Sequence, residues 1–290
     1  MMWFLSRNKL LTSAQHGFVP GRSCTTNLLE TVDFISENMS LGYLVVVIFL
    51  DFAKAFDKVS HGKLLVKMRS LGFPEVLVNW VSSFLADRRQ RVVIVEGVSE
   101  WVDVLSGVPQ GSVLGPLLFV IFINDLPDGL SNMVKLFADD SKVLSVIRSV
   151  EDRNRLQADI FRLQDWAREW QMEFNLKKCK SMHFGKRGSR DGLVSGYFMR
   201  GVDGSLHAID DSTLERDLGI MISSDLKWNH QVEMVANRAN SMLARIRRTF
   251  RHFDAHLVKQ LYVSLVRCHL EYAVSVWNQT WRELSVSNIV

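Results

Sequence analysis

Cysteine is scarce in this sequence, and its spacing does not suit the sites that cysteines usually build. The 290 residues include three cysteines, Cys24, Cys179 and Cys268, and no two of them form a CxxC pair. This spacing argues against a zinc knuckle and against a disulfide framework. Free thiols persist in a reducing compartment, so we expect an intracellular protein.

Long hydrophobic runs are also lacking. The two longest, residues 41–50 and 113–123, hold about ten residues each, half of what a membrane-spanning helix needs. The N-terminal stretch has no basic region before its apolar residues, as a signal peptide would have. We therefore expect no membrane partner. Nucleus and cytoplasm both stay open as locations, because no clear targeting signal is present.

Charge of one sign is present in slight excess. Lysine and arginine number 35 against 31 aspartates and glutamates, which gives a formal net charge of +4. Such a charge permits a nucleic-acid partner without requiring one. Hydrophobic residues make up 47% and charged residues 23%, the balance of a folded protein. The length suits one large domain or two ordinary ones.

Strand and helix patterns are mixed along the chain, which predicts an α+β fold. The aliphatic run at residues 44–50 indicates a strand buried on both faces. Residues 134–138 and 141–146 read as two strands joined by a tight acidic turn. After an initial loop, the predicted helices span residues 25–39, 61–70, 77–85, a stretch ending near 124, 151–171, 229–250 and 256–277. The remaining patterns predict a hairpin at 91–105 turning at Glu96-Gly97, a strand at 181–184, and a loop or short hairpin at 185–213.

Three acidic residues follow apolar strands: Asp51 after the 44–50 strand, and Asp139 and Asp140 in the acidic turn. Carboxylates in such surroundings are costly to desolvate unless something compensates them, and adjacent acids repel each other. A Mg²⁺ ion would offset both the desolvation cost and the repulsion between the acids, because it takes hard oxygen ligands. If the strands are neighbours in one sheet, the acids can hold two ions for phosphoryl-type chemistry. The alternative is that each acid is an ordinary turn or N-cap residue.

These acids lie in motifs that resemble those of reverse transcriptases, in particular of non-LTR retrotransposons of the jockey and CR1 type. The segments that carry the resemblance are, in chain order, QHGFVPGRSCT (15–25), FLDFAKAFDKV (49–59), SGVPQGSVLGPLLF (106–119), INDLP (123–127), FADD (137–140), NLKKCKSMHF (175–184), DLGI (217–220) and LVRCHLEYA (265–273). One segment alone would be a weak signal. The ordered set covers most of the chain and is specific.

The resemblance implies a role for each matching position. Asp51 and Asp139 would be the principal metal ligands, and Asp140 would complete the acidic site. Phe56 would be the ring beneath the incoming sugar, where a clash with a 2′-hydroxyl favours deoxynucleotides. The plainer interpretation of Phe56 is a core aromatic residue. Asp57 belongs to the same motif, and we assign it a structural role.

Three further positions receive substrate-binding roles from the resemblance. Gln110 and Gly111 would lie against the nucleotide and template, where a glycine lets the backbone approach closely. Lys178 would lie near the triphosphate, and Lys180 is a less well matched candidate. The plainer interpretations are an ordinary turn for Gln110 and Gly111, and a solvated basic turn for the lysines.

The resemblance also implies an architecture. We expect a polymerase palm built on an antiparallel sheet with packed helices, partial fingers, and a helical thumb-like C-terminal part. The predicted boundaries are residues 1–185 for partial fingers and palm, 186–228 for a loop or hairpin connection, and 229–290 for the thumb-like region. In the last of these, Arg238, Arg245 and Arg248 form a basic stripe that could track duplex phosphates. The alternative is a solvated, arginine-rich helical face.

The implied function is RNA-directed DNA synthesis. A primer 3′-hydroxyl would attack the α-phosphate of a dNTP on an RNA template, with a DNA primer and two Mg²⁺ ions, or Mn²⁺ in their place. A non-catalytic remnant that binds RNA or a template–primer duplex is the main alternative. A metal-dependent nuclease is another, although it leaves Phe56 and the 106–119 segment unexplained. Because family enzymes carry a longer fingers region before the QHGF segment, we expect an N-terminally truncated copy with weak or absent activity.

Overall fold

A computed structural model of the chain describes residues 1–95, 97–185, 196–201, 203–250 and 254–278. The helices are α1 (Met2–Arg7), α2 (Cys24–Ser40), α3 (His61–Ser70), α4 (Glu75–Leu85), α5 (Leu114–Ile123), α6 (Val150–Glu169), α7 (Asn229–Thr249), α8 (Ala255–Leu261), α9 (Cys268–Glu271) and α10 (Val274–Trp277). The strands are β1 (Leu44–Leu50), β2 (Arg89–Gln90), β3 (Val93–Ile94), β4 (Gly97–Val98), β5 (Val102–Asp103), β6 (Met133–Phe137), β7 (Asp140–Ile147), β8 (Lys180–Phe184), β9 (Phe198–Arg200), β10 (Leu206–Ala208), β11 (Asp210–Asp211), β12 (Leu214–Asp217) and β13 (Ile220–Ser223).

A five-stranded sheet in the order β11-β8-β1-β7-β6 forms the centre of the fold. Strand β1 lies in its middle and pairs antiparallel with both β7 and β8. Its sequence, LVVVIFL, is rich in β-branched residues that suit a strand buried on both faces. The condition under which the acids can meet, that this strand and the strand after the acidic turn are neighbours, is therefore met.

Helices cover both faces of this sheet because alternate side chains of β1 point to opposite sides. On one face, Val46 and Ile48 pack with buried residues of α3, α4, α5 and α6. On the other face, Val45 and Val47 pack with residues of α2 and of the β12–β13 hairpin. Helix α5, LGPLLFVIFI, is apolar on all sides and almost fully buried, as such a helix must be.

The C-terminal helices have a small core of their own. Ala239 and Ile246 of α7 pack there with Val266, which lies in a π-helical stretch, Tyr262–Arg267. Further along, Ala273 and Val276 join the core beneath the sheet. The predicted helical character of residues 256–277 is confirmed in outline, with a break at Ala273, whose φ is +49°.

Some local predictions need correction. The initial loop contains the short helix α1, which buries Leu5. The 91–105 hairpin exists as two short pairs, β2 with β5 and β3 with β4, and Glu96 of the predicted turn lies outside the described residues. Its side chains are exposed, so burial does not fix its register. Part of the 185–213 stretch, residues 186–195 and 202, lies outside the described residues, and its described part forms the β9–β10 hairpin and strand β11, which pairs with β8.

None of the described helices combines the length and the apolar character needed to cross a bilayer.

Candidate active site

The three candidate acids meet at one end of the central sheet. The register of β1 and β7 sets Leu50 opposite Ser141, so the next step brings Asp51 opposite Asp140. Asp140 begins β7, and Asp139 lies in the turn between β6 and β7. Asp51 and Asp140 line the same cleft. Residues almost 90 positions apart in sequence are thus brought together by strand pairing.

The electrostatics of this cleft favour the binding of a cation. Burial and the neighbouring Asp51 raise the pKa of Asp139 above its usual range. Burial raises the pKa of Asp140 to about 6, and the charges of Asp139, Asp217 and Asp51 add to the effect. Both shifts mean that the charged carboxylates are destabilised where they stand. A divalent cation among them would remove that cost.

One carboxylate oxygen of the cleft has no hydrogen bond. Oδ2 of Asp51 is buried, and no donor among the described residues bonds to it. The Lys178 ammonium group lies 3.4 Å away from this oxygen. A buried carboxylate oxygen that has no hydrogen bond and lies beside two further acids is the kind of ligand that Mg²⁺ prefers.

The acids do not form a complete ligand set by themselves. In the part of the chain that the structure describes, no three histidine, cysteine, aspartate or glutamate side chains form a ready-made metal-binding group. Mg²⁺ usually takes one or two protein carboxylates and completes its shell with water and substrate phosphates. The residues present therefore fit an ion that is held jointly with a nucleotide.

The turn that carries Lys178 is fastened to the end of β1. The Asn175 amide donates a hydrogen bond to the Asp51 carbonyl at 2.7 Å, and the Lys178 amide donates to the Asn175 carbonyl at 2.9 Å. The side chain of Lys178 is 66% exposed and lines the cleft. The structure thus brings Lys178 to the acids, where its ammonium group is accessible to an anionic ligand.

A buried ion pair beside the acids was not anticipated from the sequence. Lys142 of β7 donates to the carboxylate of Asp217 of β12, and their side chains are 4% and 7% exposed. Both residues line the cleft. Lys142 is the sequence feature that could have indicated this pair, because a lysine within a buried strand needs an acidic partner. Nothing local to the strand indicates which acid that is.

The other predicted substrate-binding residues lie in a second cluster, away from the walls of this cleft. The Phe56 ring is partly buried and stacks on Phe119 with centroids 4.4 Å apart. The Gln110 amide donates to Oδ1 of Asp57 at 3.0 Å. Gly111 has φ +78°, and a Cβ added there would meet no atom within 4 Å. The substrate roles of Phe56, Gln110 and Gly111 stay predictions.

The backbone around Asp57 fits the structural role assigned to it. Its carbonyl accepts a hydrogen bond from the Ser106 hydroxyl at 2.8 Å. A Cβ added to Gly107, whose φ is +89°, would lie 2.8 Å from the Asp57 Cα. Two of the motif segments are therefore packed backbone to backbone at this point.

A basic groove continues from the cleft toward the C-terminal helices. Arg216 lines both the cleft and an adjoining groove, which is also lined by Arg238 and His269. Arg238 and His269 in turn line a further groove with Arg245. Arg248 is exposed and bonds to a carbonyl of its own helix. Two of the three arginines of the predicted stripe therefore line grooves that share residues with each other and, through Arg216, with the cleft.

Comparisons with known proteins agree with these motifs. The chain is 30% identical over 247 residues to the RNA-directed DNA polymerase from mobile element jockey of Drosophila melanogaster, covering 82% of this chain and 26% of that protein. It is 33% identical over 202 residues to the jockey polymerase of Drosophila funebris, covering 63% of this chain and 22% of that protein. The chain thus spans about a quarter of the length of these relatives.

Solved structures with a similar fold include telomerases. The apo telomerase of Candida tropicalis matches with a TM-score of 0.55 and 11% identity, over 97% of this chain and 49% of that one. A C-terminally truncated form of the same telomerase matches with a TM-score of 0.53 and 12% identity, over 79% of this chain and 42% of that one. At this identity the likeness concerns the fold alone, and it agrees with the predicted α+β polymerase fold.

The family assignment rests on the sequence as a whole. The profile of the family described as reverse transcriptase (RNA-dependent DNA polymerase) matches residues 2–235, a span that includes all three acids of the cleft. The chain belongs to the reverse transcriptase family and is related to the RNA-directed DNA polymerases of non-LTR retrotransposons.

Proposed function

We propose that this chain carries the catalytic core of an RNA-directed DNA polymerase. A primer 3′-hydroxyl attacks the α-phosphate of a dNTP paired to an RNA template, and pyrophosphate leaves. The observation that supports this proposal best is that the pairing of β1 with β7 brings Asp51, directly after β1, beside Asp139 and Asp140 at the start of β7, in a chain of the reverse transcriptase family. Acids from separate strands in one cleft are what two-metal phosphoryl transfer requires.

In this proposal the acidic residues hold divalent ions, Mg²⁺ or Mn²⁺ in its place. Asp51, Asp139 and Asp140 supply the carboxylate oxygens, and the destabilised charges of Asp139 and Asp140 make cation binding favourable. Bound ions of this kind lower the pKa of an attacking hydroxyl and stabilise a leaving pyrophosphate. The exposed ammonium group of Lys178 binds the triphosphate from the side of β1.

The proposed path of the nucleic acid follows the basic groove. Arg216, Arg238 and Arg245 line two grooves beside the acidic cleft, and Arg216 also lines the cleft itself. Phosphates bind such grooves by charge and without reading sequence. A primer strand bound there would end at the acids. RNA template, DNA primer and dNTPs are therefore the proposed partners.

Primer extension on an RNA template with Mg²⁺ tests the proposal. We expect weak extension by the wild-type chain, and no detectable extension by Asp139→Ala or Asp140→Ala, because each loses a carboxylate that would hold the metal ions. Asp128→Ala is the matched control, because Asp128 is an exposed aspartate outside the cleft. It should extend as the wild type does.

Two other outcomes would overturn the proposal. Absence of extension with salt-sensitive duplex binding would indicate a non-catalytic remnant. Cleavage of the nucleic acid without extension, lost in the same variants, would indicate a nuclease that uses these acids.

A further inference from the structure

We propose that Gln15 is a positioning residue that fixes the acidic turn of the cleft. This inference rests on the proposed function, because it assigns to Gln15 the task of holding the metal-binding acids in place. Gln15 belongs to the QHGF segment, which has no part in the chemistry described above. It is 1% exposed and lies more than 120 residues before the turn in the sequence.

The QHGF segment lies against the edge strand that leads into the turn. The Leu136 amide donates to the Ala14 carbonyl, and the His16 amide donates to the Leu136 carbonyl, both at 2.9 Å. The side-chain amide of Asn27 donates to the same carbonyl at 3.0 Å. These bonds extend the sheet by one parallel bridge beyond β6. The segment is thereby held next to Phe137 and Ala138.

The Gln15 side chain then reaches the turn itself. Its Oε1 accepts a hydrogen bond from the Ala138 amide at 2.9 Å and another from the Gly17 amide at 2.7 Å. Ala138 directly precedes Asp139 and has φ +55°, a left-handed conformation that alanine rarely adopts. One buried acceptor therefore holds the backbone of the turn in a disfavoured conformation.

The amide nitrogen of Gln15 makes no hydrogen bond to any described residue. The interaction thus depends on the acceptor oxygen. A side chain of the same length without an acceptor would lose it, and one with an acceptor would keep it.

Gly17 gives an independent sign that the segment and the turn are in close contact. A Cβ added to Gly17 would lie 2.5 Å from the Ala138 nitrogen and 3.0 Å from the Phe137 carbonyl carbon. Both atoms belong to the backbone of the turn, so they cannot move aside without moving it. The contact therefore requires glycine at this position.

The consequence for function follows from the precision that metal ligands need. A carboxylate must be held to within about 0.5 Å of its productive position. Groups that orient ligands without contacting the metal typically change metal affinity or activity by about 10- to 100-fold when they are replaced. Gln15 hydrogen-bonds to the backbone of the turn, and among the described residues no hydrogen bond joins it to an acidic side chain, so its role is positioning.

Mn²⁺ binding to the full chain tests this inference without relying on catalysis. The free ion is followed by electron paramagnetic resonance in the presence of a primer–template duplex and a dNTP, and the Mn²⁺ that these two bind without the protein is subtracted. We expect Gln15→Met to weaken Mn²⁺ binding by about 10- to 100-fold, and Gln15→Glu, which keeps the acceptor, to restore it to within several-fold of the wild type. Where extension is measured, Gln15→Met should lower kcat and leave the KM for the dNTP nearly unchanged.

Two variants separate positioning from general loss of stability. Gln164→Met is the matched control, because the Gln164 oxygen accepts from the Arg200 amide at 2.8 Å and its amide donates to the Arg200 carbonyl at 2.9 Å, on the β9–β10 hairpin. It should lose both bonds and keep full Mn²⁺ affinity. Gly17→Ala should weaken Mn²⁺ binding with Gln15 intact, and it decides the matter if Gln15→Met does not fold.

The outcomes distinguish this inference from the function on which it rests. Wild-type affinity in a folded Gln15→Met variant would overturn the positioning role, whatever Gly17→Ala shows, and so would wild-type affinity in Gly17→Ala if Gln15→Met does not fold. A wild-type chain that binds no Mn²⁺, or binds it equally well after Asp139→Ala, would overturn the proposed metal site instead.

Discussion

Individual buried charges in this protein are tolerated only with a partner. Lys142 and Asp217 are almost fully buried, and each neutralises the other beside the acids of the cleft. Removing both charges from water costs several kcal/mol, which their attraction offsets. A single loss would therefore leave an uncompensated charge in the protein interior. Because Lys142 lies on β7 and Asp217 on β12, the pair also ties the β12–β13 hairpin to the central sheet.

We predict that Asp217→Asn lowers the free energy of unfolding by about 3 kcal/mol, because Lys142 stays buried without its counter-charge. The double variant Lys142→Met/Asp217→Leu should recover most of this loss. Urea unfolding followed by circular dichroism measures both. Asp210→Asn, which breaks the exposed Lys180–Asp210 ion pair, is the control and should cost less than about 1 kcal/mol. An equal effect of the two single variants would contradict the explanation.

Helices α3, α5 and α6 are joined by one lysine. Lys67 of α3 donates to the carbonyl of Phe122 in α5 and to Oδ1 of Asp125. Its ammonium group lies 3.7 Å from the centroid of the Trp170 ring and 4.6 Å from that of Trp166. Burial lowers the pKa of Lys67 to about 8, although Asp125 opposes the shift.

This pKa predicts how stability changes with pH. The folded pKa lies below the ordinary lysine value of about 10.4, so between pH 8 and 10 the unfolded chain binds more protons. The contribution of Lys67 to the free energy of unfolding therefore rises with pH across this window, by up to about 3 kcal/mol. We therefore expect the free energy of unfolding of the wild type, minus that of Lys67→Met, to be larger at pH 10 than at pH 7. Urea titrations at the two pH values measure it.

Lys63→Met is the matched control, since Lys63 lies on the same helix and also faces Trp170, at 5.5 Å from the ring centroid, but is less buried. A difference between wild type and Lys67→Met that is unchanged from pH 7 to pH 10 would show that the ammonium group is not desolvated as described.

The distribution of charge over the protein is more informative than its net charge. The excess of four positive charges is slight, yet arginines line the grooves beside the acidic cleft. Grooves lined by one sign of charge attract a polyanion and do so more strongly at low ionic strength. The acids of the cleft would repel a polyanion, and divalent ions would neutralise that repulsion.

We predict that Arg238→Gln and Arg245→Gln each weaken duplex binding without changing sequence preference. Each should also reduce the slope of log Kd against log salt concentration by about one, as expected for one lost phosphate contact. Fluorescence anisotropy between 50 and 200 mM salt, about the range over which such slopes are resolved, is the measurement. Arg69→Gln is the control for lost charge, because Arg69 pairs with Glu75 at 2.7 Å. Unchanged slopes in both test variants would exclude this path.

Much of the fold and part of the site follow from local patterns. The run LVVVIFL predicts a buried strand with Asp51 at its end, and the structure has this strand at the predicted residues. Helix α2 begins after Ser23 and α6 after Ser149, each with a capping box that satisfies the first amides. These features depend on residues within a few positions of one another, so they can be predicted from the sequence alone.

The remaining features depend on which distant segments meet. The Lys142–Asp217 pair joins residues 75 positions apart, and the Gln15–Ala138 bond joins residues 123 positions apart. Periodicity and capping carry no information about such partners, because they describe the chain only over a few turns. Strand pairing and the packing of helices on both faces of the sheet bring these residues together. The sequence by itself determined which acids are available, and the folded chain determined what holds them at one cleft.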